Sequence, residues 1–473
     1  MNLLEKRLSE WVFETEFFRN KDIYLVGGCV RDIILNRNAH DIDLACSNAG
    51  QLAHALAKEK HAVCVVMDKK PDVPCFRLIN RKSPDNFIDI TEIRGDSIES
   101  DLNQRDFTIN AIAIPLKSGT LDETQIIDVV SGQVDISKKI IRMVSKDSFI
   151  DDPLRMLRAF RFSAQLDFEI ESNTIKHIHK NANRIQSVSS ERILFEMKIL
   201  FGHPNIFQLI EQMDHTGLLS AMFPEILELR SCSQNDYHHT HVWGHSLETL
   251  KLFEQLMSQM DTLLSTTCEQ VHKYLYQDDN LAMIKLACLF HDVAKPMTQK
   301  QDPDSNHISF HRHDKLGKNE IEKICDRLRL SKKNAAFVCQ LVEEHLHIRD
   351  LLHPNTRRNT LLKNCRKLGE TIIAVTLLSI ADKLATRGIK SQESDRISYQ
   401  ETAIAFIESY YNDIQPVICT ENLITGKHLM EIGIQPGPTM GKILRMVRLA
   451  QDEGKIATPE QALELAKELK KNH

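Results

Sequence analysis

To about residue 145 the chain alternates short apolar runs with amphipathic connections. The runs are IYLVGG at 23–28, HAVCVVM at 61–67, NFIDITEI at 86–93 and TINAIAI at 108–114, a pattern that predicts strands joined by helices. Helical periodicity then takes over, first in DDPLRMLRAFRFSAQL at 151–166 and SSERILFEMKILF at 189–201. Histidines crowd between His238 and His347 within helical text, and a Gly/Pro turn, GIQPGPTMG, breaks the pattern at 433–441. Thr458, Pro459 and Gln461 supply an N-cap, a first-turn proline and a capping-box partner for a last helix. The amphipathic start, MNLLEKRLSEWVFETEF, carries acids and predicts a first helix, not a signal peptide. The expected class is α+β, in four parts: an α/β head (1–145), a helical neck (146–230), a histidine-rich helical domain (231–390) and a helical tail (391–473).

Composition narrows this picture without deciding it. The chain has 473 residues, 42% of them apolar and 26% charged, as in globular proteins of several domains. No apolar run approaches the roughly 18 residues of a membrane span, so no membrane partner is expected. Its 11 cysteines form no CxxC pair, which favours reduced thiols and a cytoplasmic setting. Net charge is −5, so contact with nucleic acid must come from local basic faces. One candidate is 357–367, where Arg357, Arg358, Lys363, Arg366 and Lys367 meet no acid; a solvated helix face is the plainer reading.

The chemistry concentrates in YLVGGCVRDIILNRNAHDIDLA at 24–45. A strand ends at Gly27 and Gly28, where missing side chains let backbone N–H groups approach a triphosphate. A helix opens directly after, placing Arg31 to grip phosphate. Asp41 and Asp43 follow on an extended piece. At a spacing of two both carboxylates point to one face and can hold Mg²⁺ ions together.

This ordered set resembles the class II branch of the polymerase-β-like nucleotidyltransferases, which comprises tRNA nucleotidyltransferases and bacterial poly(A) polymerases. The resemblance rests on GGxVRD at 27–32, Asp41 and Asp43, RDFTINA at 105–111, DDxxR at 151–155 and the SERI-F-E segment at 190–196. It implies a polymerase-β-like head in which Gly28 and Arg31 meet the nucleotide phosphates. Asp41 and Asp43 would be catalytic, binding the metals of a two-metal mechanism, and Arg105 would help hold the nucleotide. Asp106 and Asn110 read as scaffold. Asp89, on the neighbouring FIDIT strand, is by default a water-facing acid, with a third metal-site carboxylate as the alternative.

In the neck, Asp152 and Arg155 stand three apart, which on a helix sets them on one face, with Arg158 and Arg161 extending the stripe. A carboxylate accepts from an exocyclic amine and a guanidinium donates to a ring acceptor, so such a pair reads C or A and rejects U and G. In the family this pair serves as the template; the alternative is a surface ion pair. Asp151 stands where the family more often has Glu. The poly(A) polymerase branch usually has a Gly-Arg-Arg-Phe-like block that VVMDKKPDVPCFRLI (65–79) lacks, which points the substrate toward tRNA.

His245, His291, Asp292 and Asp382 form the ordered H…HD…D set of HD-type phosphohydrolases, with His313 and His345 at further positions resembling those of two-metal members. Imidazole and carboxylate suit a divalent transition metal or Mg²⁺. Bacterial tRNA nucleotidyltransferases often carry this domain, and the tail is expected to contact tRNA. The expected activity is addition of C and/or A to the 3′ end of tRNA from CTP and ATP, releasing pyrophosphate. The alternatives are a poly(A) polymerase acting on general RNA and a metal-dependent phosphohydrolase with an RNA-binding head. Whether CCA, CC or A alone is added, and the oligomeric state, stay open.

Overall fold

The computed structural model describes Trp11 and residues 22–38, 41–68, 74–117, 120–121, 125–305 and 307–471. The amphipathic segment expected as a first helix lies, Trp11 apart, outside the described residues. The chain forms two compact units, Met1–Phe223 and Pro224–His473. Head (1–145) and neck (146–230) meet within the first unit, apart from 224–230. The expected histidine-rich and tail segments, with 224–230, make up the second.

In the first unit a seven-stranded mixed sheet runs in the order β3-β4-β5-β2-β1-β6-β7. Its elements are β1 (Ile23–Val26), α1 (Gly28–Ile34), β2 (Asp43–Cys46), α2 (Ala49–Glu59), β3 (Val63–Asp68), β4 (Cys75–Asn80), β5 (Ser83–Glu92), β6 (Ala113–Lys117) and β7 (Thr120–Leu121). Helix α2 buries Ala49, Leu52, Ala53 and Leu56, the i, i+3, i+4, i+7 stripe of an amphipathic helix, against β4 and β5. β2 pairs in parallel with β5, Asp43 facing Asp89, and antiparallel with β1. This register sets the GG turn and both aspartates at one end of the central strands. TINAIAI departs from the expected strand: Thr108–Asn110 is a 3₁₀ turn and β6 begins only at Ala113. The buried Thr108 hydroxyl donates to Asp135 and the Asn110 amide to Asp106, side-chain bonds that hold the backbone in a turn. The neck then supplies α3 (Leu154–Leu166), packed on α4 (Ser190–Phe201).

In the second unit α5 (Val242–Ser258), α6 (Asn280–Phe290), α7 (His313–Arg327), α8 (Lys332–Glu344), α9 (His347–Leu351) and α10 (Thr371–Ala385) surround one core. Every residue from Leu281 to Phe290 of α6 is buried, as is every residue from Ile372 to Asp382 of α10, so both are central and not amphipathic. At the end of the chain come α11 (Pro438–Asp452) and α12 (Pro459–Lys471). The expected capping box is present: Gln461 N donates to Thr458 Oγ1 at 3.4 Å, and Thr458 N to Gln461 Oε1 at 3.3 Å. The basic run at 357–367 is not free of acids. Arg366 pairs with Asp452 at 2.6 Å and Lys367 with Glu344 at 2.6 Å, partners that only folding brings near.

Lys285 in α6 is fully buried and lies 2.5 Å from Glu254 of α5. Breaking such a pair leaves one charge uncompensated, whereas replacing both residues removes two desolvation costs together. Lys285→Met should therefore lower the unfolding free energy of this unit by about 3–5 kcal/mol. Lys285→Met with Glu254→Met should recover most of that loss, as read by denaturant titration.

Candidate active site

The head carries a cavity of about 470 Å³ lined by Gly28, Asp41, Asp43, Arg105, Arg158 and Arg161, with Gly27, Arg31 and Phe162 also on its wall. Gly27 has φ +80°, and a Cβ there would sit 3.2 Å from Arg105 Nη1 and 3.4 Å from Asp43 Oδ2, so both conformation and space demand glycine. Asp43 opens β2 and Asp41 lies two residues before it. The Asp89 N–H donates to the Ile42 carbonyl at 2.9 Å, carrying extended pairing back between the two aspartates. Both carboxylates consequently reach the same cavity, as their spacing predicts.

The guanidiniums around them are fixed by partners of their own. Arg105 Nε donates to Asp101 at 2.9 Å, and Arg31 donates to Asp32 at 2.9 Å and to Asn110 at 2.8 Å. Burial, then Asp89 beside it, pushes the Asp43 carboxyl up to about 6 against the pull of Arg105. Such carboxylate crowding favours a bound cation, and the all-oxygen donors of Asp41 and Asp43 suit a hard one such as Mg²⁺. Asp89 is committed elsewhere: Arg77 holds both its oxygens, at 2.8 and 2.7 Å.

From the neck, Arg158 donates twice to Asp106, at 3.0 and 2.6 Å, and Arg161 Nε lies 2.5 Å from Glu196. Arg161, Arg158 and Arg31 stand 4.0, 5.2 and 5.4 Å from the centre of the Phe162 ring. Burial opposes charge on Asp106, but Arg158, with Asn110 and Arg155, outweighs it and holds the carboxyl at about 2.

Asp152 and Arg155 are placed differently from the expected single helix face. Asp152 is extended (φ −145°, ψ 100°) because the residue before a proline is pushed out of the helical region, and α3 starts only at Leu154. Asp152 bonds Arg192 at 2.7 Å, and Arg155 donates to the Gln104 carbonyl at 2.9 Å and to Ser148 Oγ at 3.1 Å. Neither is among the residues lining the cavity.

The second unit gathers a second cluster. His245 comes from α5, His291 and Asp292 from just past α6, His313 from the start of α7, His345 from just past α8 and Asp382 from α10. His291, His313 and His345 bond backbone carbonyls through Nδ1, at 3.0, 2.7 and 2.7 Å, which turns each Nε2 inward. Those three Nε2 atoms are buried and converge on the Asp292 carboxylate. Two groups, His245 with His291 and Asp292, and Asp292 with His313 and His345, have donor atoms spaced to hold a metal ion. Asp292 is common to both, its Oδ2 3.2 Å from His291 and its Oδ1 3.3 Å from His313. Asp382 Oδ1 accepts from His245 at 2.9 Å. Burial disfavours charge on both aspartates. Lys295, then His291, nonetheless keeps Asp292 well below the usual carboxylate range, and Arg349, then His245, does so for Asp382. Sequence reading missed Lys295, Arg349 and His238, whose ring centre lies 4.6 Å from that of His245. Only the HDVAKP context of Lys295 held a signal.

Family comparisons cover both units of the chain. A Poly A polymerase head domain family matches residues 23–142, a "Probable RNA and SrmB- binding site of polymerase A" family 167–229, and an HD domain family 242–387. The fold is that of a nucleotidyltransferase head joined to an HD domain. An A-adding tRNA nucleotidyltransferase of Deinococcus radiodurans is 30% identical over 93% of this chain and 93% of its own length. A CC-adding tRNA nucleotidyltransferase of Thermus thermophilus is 26% identical over 94% and 93%. The chain belongs to the tRNA nucleotidyltransferases. The Thermotoga maritima CCA-adding enzyme complexed with tRNA shares its fold, with a TM-score of 0.61 at 20% identity over 98% of this chain and 94% of that one.

Because Asp106 is held at about 2, below the ordinary carboxylate value near 4, it stabilises the first unit above that ordinary value. That stabilisation is lost as pH falls from about 4 toward 2. Asp106→Asn should lower stability at neutral pH and shrink this part of the acid-denaturation slope, measured as melting temperature against pH.

Proposed function

We propose that this protein adds C and/or A nucleotides to the 3′ end of tRNA from CTP and ATP, releasing pyrophosphate. The observation that carries this is the shared cavity of Asp41 and Asp43 with Gly28, Arg31 and Arg105. In each addition the RNA 3′-hydroxyl oxygen forms a bond to the α-phosphorus, the bond to pyrophosphate breaks, and the hydroxyl proton is lost to solvent. Asp41 and Asp43 would hold Mg²⁺, which when bound supplies charge neutralisation at the attacking and leaving oxygens. Arg31 and Arg105 face the triphosphate, and Arg158 and Arg161 close the far wall beside Phe162. Asp152 and Arg155 would read the base, which requires Arg155 to leave Gln104 and Ser148 and Asp152 to leave Arg192. The described helices include none long and apolar enough to cross a membrane, and a tRNA substrate fits a cytoplasmic setting. On this reading transfer falls to 1–145, base reading to 146–230, metal chemistry to 231–390 and tRNA contact to 391–473.

Incubation with tRNAs ending before the first C, after C and after CC, each with a single NTP, tests this reading. Incorporation stopping at or before CCA supports it, and a long A tract on general RNA overturns it. Asp43→Ala should abolish addition while leaving the melting temperature near wild type; activity within about tenfold of wild type, roughly 1.4 kcal/mol in barrier, would remove Asp43 from the chemistry. Asp152→Ala or Arg155→Ala should admit UTP or GTP more than it weakens triphosphate binding, because a mismatched base no longer leaves polar groups unpaired. An equal rate loss for all four NTPs would make the pair a brace.

A second activity is supported by the inward Nε2 atoms of His291, His313 and His345, which gather with Asp292 at metal-ligand spacing. These, with His245, Asp292 and Asp382, would hold divalent transition metal, which when bound supplies an activated water for hydrolysis of a small phosphoester such as a 2′,3′-cyclic phosphate. His291→Ala with Asp292→Ala should abolish metal-dependent phosphodiester hydrolysis and leave nucleotide addition near normal. Absence of both bound metal and hydrolysis in wild type would reduce this domain to a structural or tRNA-binding role.

A further inference from the structure

Arg349 reaches solvent where the six metal-ligand candidates of the helical domain do not. Its side chain is 29% exposed, whereas Lys295, the clustered histidines and the two aspartates stand at 10% or less. It sits on α9, four residues past His345, and contacts Asp382 through Nη2 alone. Its Nε is buried without a partner. A guanidinium carries five N–H donors in a rigid fork that matches phosphate oxygens, so most of its donors are uncommitted while its position is fixed. The side chain thus runs from a buried carboxylate of the cluster out to its rim.

Its neighbours strengthen a positive rim. Lys383, half-buried, follows Asp382 directly in the chain. Lys295 lies 2.6 Å from Asp292. The cluster's two carboxylates, Asp292 and Asp382, are therefore each neutralised by one cation, Lys295 and Arg349 respectively. Any metal taking up those carboxylate oxygens would leave both cations in excess and the rim positive, which selects an anionic substrate.

We propose that Arg349 is the phosphate-binding residue of the helical-domain site, gripping non-bridging oxygens of a phosphate ester at its entrance. This rests on the hydrolytic reading of that site but does not need turnover to be tested. The competing role is that of a counter-ion, in which Arg349 only neutralises Asp382. Lys295 is less suited to the grip, since it is buried and already shared between Asp292 and Gln234, at 2.6 and 2.7 Å.

The experiment uses full-length protein loaded with Ni²⁺ or Mn²⁺, with inorganic phosphate as the probe. Metal content is measured by elemental analysis and phosphate affinity by calorimetry, for wild type, Arg349→Met and Arg349→Lys. Nucleotide addition to tRNA serves as the control for folding. The proposal expects unchanged metal content and a phosphate affinity at least about tenfold weaker in Arg349→Met, with partial rescue by Arg349→Lys, which keeps the charge and loses the fork. Where hydrolysis is present, KM should rise more than kcat falls. Phosphate affinity within about twofold of wild type in Arg349→Met, or no phosphate binding by the loaded wild type, overturns the proposal. Loss of metal in Arg349→Met also overturns it, in favour of the counter-ion role. If wild type hydrolyses nothing yet phosphate binding still depends on Arg349, the hydrolytic reading fails and the anion site stands.

Discussion

The constraint on which both sites depend is the cost of holding like charges close together away from water. In the head, Asp43 faces Asp89 across parallel strands, and the pair persists because Arg77 holds Asp89 while Arg105 stands at Asp43. The same rule shapes the neck, where Asp106 and Glu196 each face a guanidinium from α3. It shapes the helical domain too, where Lys295 and Arg349 neutralise Asp292 and Asp382. The functional side chains are thus pre-arranged by charge pairs, and the sheet and helix cores serve to fix where those pairs meet.

This division explains which features were legible in the chain. The GG turn, the aspartate spacing and the H…HD…D set are local or strictly ordered, so residue identity and spacing carry them, and the α+β class with its head and helical body was borne out. β4 escaped because VVMDKKPDVPCFRLI shows neither clean alternation nor a clear boundary, although Cys75–Asn80 pairs on both sides. Helical spacing misled at Asp152, where Pro153 dictates an extended backbone and separates the residue from the face carrying Arg155.

Features made by packing could not be read in advance. The acids that pair Arg366 and Lys367 lie 86 and 23 residues away. Arg349 looks like an ordinary helix-surface arginine until α9 and α10 are set side by side. The inward turn of the clustered histidines needs the carbonyls of Cys288, Phe310 and Val342, which no motif specifies. Partner choice, unlike residue identity, is a property of the fold.

The central claim is that the carboxylates brought together at the head cavity are the place where cation and nucleotide meet. Anomalous diffraction from crystals grown with Mn²⁺ and CTP tests it most directly. The account predicts manganese peaks against Asp41 and Asp43, with the triphosphate toward Gly28, Arg31 and Arg105. A nucleotide bound elsewhere, or manganese found only among the histidines of the helical domain, would contradict it.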